Sequence, residues 1–190
     1  MPAPYRVVAV SGSLHEPSKT TALVRAIADA VADRADVDLR VIELTEIGPL
    51  FAGTLRRDRL PSEIEVRLRE IETADLLIVG TPVYRASFTG LFKHLFDFVD
   101  QYALVGKPVL LAATGGGERH ALILEHQLRP LFAFFQSLTL PLGVYASDSD
   151  FDGYRITSPE LVTRIELAAE RALPLVGYAV ERDPRAVAVF

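Results

Sequence analysis

Hydroxyl side chains are concentrated in SGSLHEPSKTT, residues 11–21, between an apolar run and a helical pattern. The amino end of a helix favours anions, because its free N–H groups and its dipole carry positive charge. The segment lacks both the Gly-Lys-Ser/Thr ending of a P-loop and the glycines of a dinucleotide-binding turn. It predicts either a site for a monophosphate or a turn in which Ser18 only caps the helix. The hydroxyls available to an anion are those of Ser11, Ser13, Ser18, Thr20 and Thr21.

The segment TPVYRASF, residues 81–88, has the composition of a wall beside a flat ligand. Pro82 stiffens the turn that follows an apolar run, and Val83 and Tyr84 add branched and flat surface. A planar ring needs such surfaces together with backbone groups at its polar edge. Arg85 could stabilise negative charge there or be a solvated surface residue. Taken alone, the segment fits better a strand-to-helix turn whose tyrosine merely packs.

Thr114 is followed by three consecutive glycines, Gly115, Gly116 and Gly117. Glycine costs conformational entropy, but it permits positive φ angles and close approach of the backbone to a ligand. A plain connector seldom needs three in a row, so we favour a wall against a planar ligand over a flexible turn. Arg119 follows in the same segment and could meet negative charge or be an ordinary surface arginine.

Five apolar runs of strand length must position these three segments, and helical patterns separate the runs. The runs cover residues 5–10, 38–44, 75–81, 107–114 and 140–146. We expect a long connection over residues 45–61, which contain Gly48, Pro49, Gly53 and Pro61. The alternation predicts an α/β fold with a parallel sheet covered by helices on both faces. Ligands bind beyond the carboxyl ends of the strands in such sheets, where all three segments lie.

The composition is that of a globular protein, with 190 residues, 49% hydrophobic residues and a formal charge of −5. We expect a single domain over residues 1–183 and a tail over 184–190, and we assign no role to residues 174–190. The negative charge argues against nucleic acid as a partner. Without cysteine there are no disulfides or thiolate sites, and a cytoplasmic location is the simplest expectation. Neither a membrane span nor metal-ligand spacing among the histidines is visible.

Three segments together resemble the NAD(P)H-dependent FMN reductase family: SGSLHEPSKT, TPVYRASFTGLFKHLFD and ATGGGERHALILEHQLRPLF. They are most similar to the flavin reductases of two-component alkanesulfonate and methanesulfonate monooxygenase systems. The match runs from about residue 6 to about residue 150. The three segments in this order and spacing are much more specific than any one of them.

The resemblance implies a flavodoxin-like fold, a three-layer sandwich whose five-stranded parallel sheet has the order 2-1-3-4-5. It also implies an FMN site in which the first segment holds the phosphate, the second flanks the ring and the third lies along the flavin. The implied phosphate residues are Ser11, Ser13, Ser18 and Thr20; the ring residues are Pro82, Val83, Tyr84 and Arg85; the flavin-lining residues are Thr114, Gly115, Gly116 and Gly117.

His126 lies in ALILEHQLRPLF, where the two-component reductases carry an inserted residue that forms a π-bulge near a subunit interface. The resemblance therefore implies a π-bulge at His126, linked to the transfer of FMN. A polar residue in an ordinary α-helix, with no special function, would be equally consistent with this sequence. Relatives form dimers or tetramers, and the apolar stripe along residues 88–99 is consistent with a homodimer or homotetramer, although a buried helix would look the same.

We expect an enzyme in which NADH or NADPH reduces FMN by hydride transfer, and which supplies reduced FMN to an FMN-dependent monooxygenase. No catalytic side chain is expected, because the cofactor carries the electronics and the protein positions it. One alternative is a reductase with tightly bound FMN that acts on quinones, azo compounds or metal oxyanions. A second is a flavodoxin-like electron carrier, which would have no nicotinamide site.

Overall fold

The computed structural model describes residues 3–176 of the chain. The boundary expected after residue 183 and the tail at 184–190 lie outside the described residues, so both remain predictions. Within the described part, helices and strands alternate along the chain as the sequence predicted.

A parallel sheet forms the centre of the molecule. Its strands are β1 (Tyr5–Ser11), β2 (Val37–Glu43), β3 (Leu76–Pro82), β4 (Pro108–Gly115), β5 (Leu138–Thr139) and β6 (Val144–Ser147). β1 lies between β2 and β3, β4 follows β3, and both β5 and β6 pair with β4. Each of these pairings is parallel. The predicted order 2-1-3-4-5 is confirmed, with the fifth position shared by two short segments.

The expected continuous strand over residues 140–146 is wrong in detail. β5 pairs with the start of β4 and β6 with its end, and residues 140–143 between them are not in a strand. Pro141 interrupts the ladder because it has no N–H to donate. Gly143 lies so close to a neighbouring helix that an added Cβ would be 2.9 Å from Leu124 Cδ1. The break in the fifth strand therefore lets the backbone at Gly143 approach the helical segment that contains Leu124.

Within residues 3–176, six α-helices cover the sheet. They are α1 (Lys19–Ala32), α2 (Leu44–Phe51), α3 (Ser62–Thr73), α4 (Gly90–Asp97), α5 (Arg129–Phe134) and α6 (Pro159–Ala172). Two apolar cores result, one on each face, and β1 contributes Val7 to one and Val8 to the other. This is the expected three-layer arrangement. No helix within residues 3–176 is long and apolar enough to cross a membrane.

Helix α2 lies inside the segment that we expected to be a connection without regular structure. Gly48 and Pro49 are both within it, although proline removes a helical hydrogen bond. Burial compensates for that loss, because apolar side chains on one face of the helix enter the core. The buried apolar residues are Leu44, Ile47 and Phe51. Tertiary packing thus overrides the local signal of the glycine and the proline.

Helix α1 packs unusually close to the sheet, and this fixes the position of its amino end. A Cβ added at Gly80 of β3 would lie 2.3 Å from Val24 Cγ2, so only glycine fits there. At the amino end, the Ser18 hydroxyl accepts a hydrogen bond from the Thr21 N–H at 3.1 Å. The first turn of α1 is therefore held directly above the carboxyl ends of β1 and β3.

Candidate functional site

The three segments singled out in the sequence meet at the carboxyl edge of the sheet and are hydrogen-bonded to one another. The Gly12 N–H donates to Gly80 O at 2.7 Å, which ties the first segment to the end of β3. The Val83 N–H donates to Thr114 O at 2.8 Å, which ties the second segment to the third. The fold thus brings residues about 100 positions apart in the sequence to one edge, as parallel strands predict.

Two of the predicted phosphate residues lie below the loop surface and form hydroxyl pairs. Ser11 Oγ is 2.8 Å from Thr21 Oγ1, and Thr20 Oγ1 is 2.6 Å from Thr114 Oγ1. Ser11 is fully buried, and Thr20 and Thr114 are buried as well. Each pair uses one hydroxyl proton and leaves a second. The Thr20–Thr114 pair connects the first and third segments, whereas the Ser11–Thr21 pair lies within the first, and each pair can still offer one donor.

Ser13 and Ser18 differ in whether their hydroxyl proton is free to form a hydrogen bond to an anion. The Ser13 hydroxyl donates to His15 O at 3.0 Å, so its proton is already used. Ser18 Oγ accepts from Thr21 and keeps its own proton. The first hydrogen bond within α1 runs from the Ala22 N–H to Ser18 O, which leaves the N–H groups before it without helical acceptors. Ser18 and the first turn of α1 therefore have donors free that could hold a phosphate.

Lys19 adds a cation to this end of the site, and the sequence analysis did not single it out. Its Nζ lies 2.6 Å from Asp148 Oδ1 and 5.5 Å above the Phe151 ring. A cation in the first turn opposes the helix dipole unless an anion is near. A lysine in the first turn of a predicted helix was the one feature of the sequence that pointed to this role of Lys19. Asp148 follows β6, so a fourth segment also borders the site.

The second segment contains a tight, strained turn. Tyr84 and Ser87 exchange two backbone hydrogen bonds, of 2.8 and 3.0 Å. Between them, Arg85 and Ala86 have φ angles of 50° and 69°. Such left-handed conformations cost a non-glycine residue roughly 1–2 kcal/mol each. Hairpin turns of this kind usually carry Asn-Gly, so the residues Arg85 and Ala86 do not predict one.

Tyr84 also contacts the first segment. Its hydroxyl lies 3.0 Å from His15 Nε2, and the two rings are stacked with centroids 6.1 Å apart. No pattern in the sequence indicated this contact of His15. The Tyr84 side chain is 37% exposed, and it therefore offers a flat surface at the rim of the site.

The glycine-rich segment lies over the side chain of Tyr145. A Cβ at Gly115 would be 2.5 Å from Tyr145 Oη, and that hydroxyl donates to Gly117 O at 2.6 Å. Burial, with help from nearby Glu118, raises the pKa of Tyr145 to about 12. The hydroxyl therefore stays protonated and keeps donating at physiological pH.

The expected positive φ angles are absent from Gly115, Gly116 and Gly117; among the described glycines only Gly106 and Gly153 have them. Glycine is needed at position 115 because the backbone there passes close to the Tyr145 side chain. A Cβ at Gly117 would meet nothing within 4 Å, so this part of the segment faces open space.

A π-helix spans Leu124–Leu128 and has His126 at its centre. The His126 side chain is exposed, whereas Leu124 and Leu128 on either side are buried. The neighbouring Gln127 faces the second segment, and its Oε1 accepts a hydrogen bond from the Ser87 hydroxyl at 3.0 Å. The π-helix is thus connected to the strained turn.

The chemistry of the site fits a flavin mononucleotide. Helix N–H groups, hydroxyl donors and Lys19 suit a monophosphate at one end. Val83, Tyr84 and the glycine backbone offer surface and polar edges for a planar ring at the other. Arg85 and Arg119 are exposed at the rim and form no ion pair within residues 3–176. They are placed to meet negative charge, although neither is held in a fixed position.

Comparison with known proteins gives a consistent result. The family model described as NADPH-dependent FMN reductase matches residues 5–152. The chain is 58% identical over 177 residues to "FMN reductase (NADPH)" of Pseudomonas aeruginosa, covering 93% of this chain and 95% of the relative. It is 56% identical over 177 residues to "NADH-dependent FMN reductase SfnE" of Pseudomonas putida, with the same coverages.

Among solved structures, the apo form of the NADH:FMN oxidoreductase EMOB superposes with a TM-score of 0.83 at 29% identity. The superposition covers 98% of this chain and all of the other. The family recognised in the sequence, and the expected class of enzyme working with FMN and a nicotinamide coenzyme, are confirmed by these matches. The chain therefore belongs to the NADPH-dependent FMN reductase family.

Proposed function

We propose that this chain uses NADH or NADPH to reduce FMN and then releases reduced FMN to an FMN-dependent monooxygenase, in organosulfonate desulfonation. The observation that carries the release step is the openness of the ring end. Tyr84, Arg85 and Gly116 are exposed there, so a ring could enter and leave without the core opening. The likeness to the flavin reductases of two-component systems supports the same proposal.

We assign the phosphate of FMN to Ser18 and the first turn of α1, with Ser11, Ser13 and Thr20 as the supporting layer beneath. The ring is assigned to the space bordered by the second and third segments. The residues proposed to border it are Pro82, Val83, Tyr84, Arg85, Thr114, Gly115, Gly116 and Gly117. We also propose a cytoplasmic location, since the enzyme depends on soluble nicotinamide coenzyme.

When bound, FMN supplies the hydride acceptor, and the chain supplies position and charge. Ser18 and the α1 amides fix one end of the ligand, which limits its rotation and so favours one orientation for transfer. Tyr84 and Val83 define one side of the ring space, leaving the exposed side to a nicotinamide. Arg85 and Arg119 at the rim favour the negative charge that accumulates on reduction.

The test is NADH and NADPH oxidation by the purified protein, with and without added FMN. We expect a nearly colourless protein whose coenzyme oxidation requires FMN at micromolar concentration. FMN then behaves as a substrate, and anaerobic product analysis should find free reduced FMN. A boiled sample and an FMN-free sample serve as controls.

A yellow protein that oxidises coenzyme only with a quinone or an azo dye would contradict this proposal. It would favour the reductase with tightly bound FMN. Coenzyme oxidation that is absent under every condition would favour the electron carrier instead.

A further inference from the structure

Side-chain hydrogen bonds join both ends of the strained turn to other segments, Tyr84 to His15 and Ser87 to Gln127. Ser87, its last residue, donates through its hydroxyl to Gln127 Oε1 at 3.0 Å, 40 positions away in the sequence. Both residues are only partly exposed. The two backbone bonds within the turn fix its shape locally, but they do not fix its orientation relative to the site. The Ser87 hydroxyl fixes the orientation at the end that precedes α4, because it joins the turn to a different element.

The side of the turn that leads into α4 is also anchored. The Thr89 hydroxyl caps α4 by accepting from the Phe92 N–H at 3.3 Å, and it donates to Gly12 O at 3.0 Å. At the other end of the turn, Tyr84 contacts the exposed His15 ring, and the preceding Val83 N–H donates to Thr114 O at 2.8 Å. The Ser87–Gln127 bond thus lies between the start of α4 and the exposed residues Tyr84 and Arg85, so its loss should change the positions of these two residues.

The π-helix decides where Gln127 points. Each residue of an α-helix turns the side-chain direction by about 100°, so an extra residue within one turn changes which side chain faces a given neighbour. The elements around it are fixed, since Leu124 and Leu128 are buried and Arg129 donates to Leu140 O at 3.0 Å. Between these anchors, the π turn presents Gln127 to Ser87 and leaves His126 in solvent.

We propose that Gln127 is a positioning residue for the flavin ring: from the π-helix it holds Ser87, and through Ser87 it keeps Arg85 and Ala86 in the left-handed turn that presents Tyr84 to the site. This inference rests on the proposed function, because it assumes that FMN binds at this edge. It assigns to the π-helix a task within one subunit, carried by Gln127 and distinct from any role of His126 at an interface.

Equilibrium binding of oxidised FMN without coenzyme, followed by quenching of flavin fluorescence, tests the proposal. Gln127→Ala should weaken binding about five-fold, the loss that one hydrogen bond of about 1 kcal/mol gives at 1.4 kcal/mol per factor of ten. Gln127→Glu keeps the acceptor and should bind FMN nearly as the wild type does. Circular dichroism and thermal melting of each variant show whether the fold is retained.

A rescue variant distinguishes the loss of the turn's position from a general loss of stability of the protein. Glycine adopts positive φ without strain, so Ala86→Gly added to Gln127→Ala should recover most of the lost affinity. Ser87→Ala should weaken binding as much as Gln127→Ala does, and the double variant no more than either alone.

The proposal is overturned by unchanged FMN affinity in a folded Gln127→Ala protein, by equal losses in the Glu and Ala variants, or by failure of the Ala86→Gly rescue. A wild-type protein that binds no FMN would refute the proposed function itself. Wild-type binding with an unaffected Gln127→Ala variant would refute only the positioning role.

Discussion

At the scale of single residues, the hydroxyl of Ser18 caps a helix and is proposed to bind phosphate, two roles that the sequence could not separate. It caps α1, and it keeps a proton that can be donated to a phosphate. Ser158 caps α6 in the same way, accepting from the Leu161 N–H at 3.1 Å, but α6 starts elsewhere in the molecule. The chain therefore contains a matched pair of caps, of which only one borders the candidate site.

Replacing each cap by alanine should distinguish the two tasks. Ser18→Ala and Ser158→Ala should each lower the free energy of unfolding by about 1 kcal/mol, the usual effect of losing such a cap. Only Ser18→Ala should also weaken FMN binding. Of the two cap hydroxyls, only that of Ser18 lies at the proposed phosphate site. Urea unfolding and flavin fluorescence measure the two quantities. Equal FMN affinities in the two variants would leave Ser18 as a cap alone.

At the scale of elements, the π-helix is joined to α5 by an ion pair. Arg129 Nε donates to Glu125 Oε2 at 2.6 Å, and its other groups reach Thr139 and Leu140 near the broken fifth strand. Hydrogen bonding from Arg129 holds the pKa of Glu125 below its usual value of 4.5. The pair thus stabilises the π-helix only while Glu125 is ionised.

The contribution of this ion pair to the free energy of unfolding should therefore depend on pH, in a direction that follows from the lowered pKa of Glu125. Because the pKa is lowered on folding, the contribution is complete above about pH 4.5 and is lost as the pH falls through the lowered value. Glu125→Gln should cost about 0.5 kcal/mol at pH 7, a small amount because the carboxylate is half exposed and solvent weakens the pair. The difference from wild type should shrink as the pH falls below 4.

Urea unfolding at several pH values measures this difference. Glu170→Gln is the control, since Glu170 is exposed on α6 and has no ion pair among the described residues. A cost for Glu125→Gln that stays constant down to pH 3 would contradict the assignment.

At the scale of the whole molecule, one apolar surface has no cover within the described chain. Phe134 on α5 is 62% exposed, beside a cavity of about 550 Å³ between α4 and α5. Phe96, Leu131 and Phe135 contribute to its lining. We propose that this surface contributes to a homodimer or homotetramer, since exposed apolar patches often mark interfaces.

Light scattering after gel filtration tests the assembly. Phe134→Glu should shift the protein toward a smaller species, because a charge would have to be buried at the interface. Leu55→Glu is the control, since Leu55 is 88% exposed and does not line the cavity. A wild-type protein that is monomeric at micromolar concentration would contradict the proposal.

The alternation of apolar runs and helical patterns determined the α/β class and the edge at which function lies, because parallel strands must end together. Local composition was also enough to identify the three segments that border the site. It failed where burial outweighed local preference, as in helix α2, and where a proline interrupted an apolar run, as in the fifth strand. Helix α2 forms through Gly48 and Pro49, and the fifth strand breaks at Pro141.

Contacts between distant segments were decided only by the tertiary structure. The bonds of Lys19 to Asp148, Tyr84 to His15 and Ser87 to Gln127 each join residues more than 35 positions apart. No local pattern encodes them, because side-chain directions depend on how the elements pack. The left-handed turn at Arg85 and Ala86 has the same origin, since neither residue favours it and surrounding contacts must hold it.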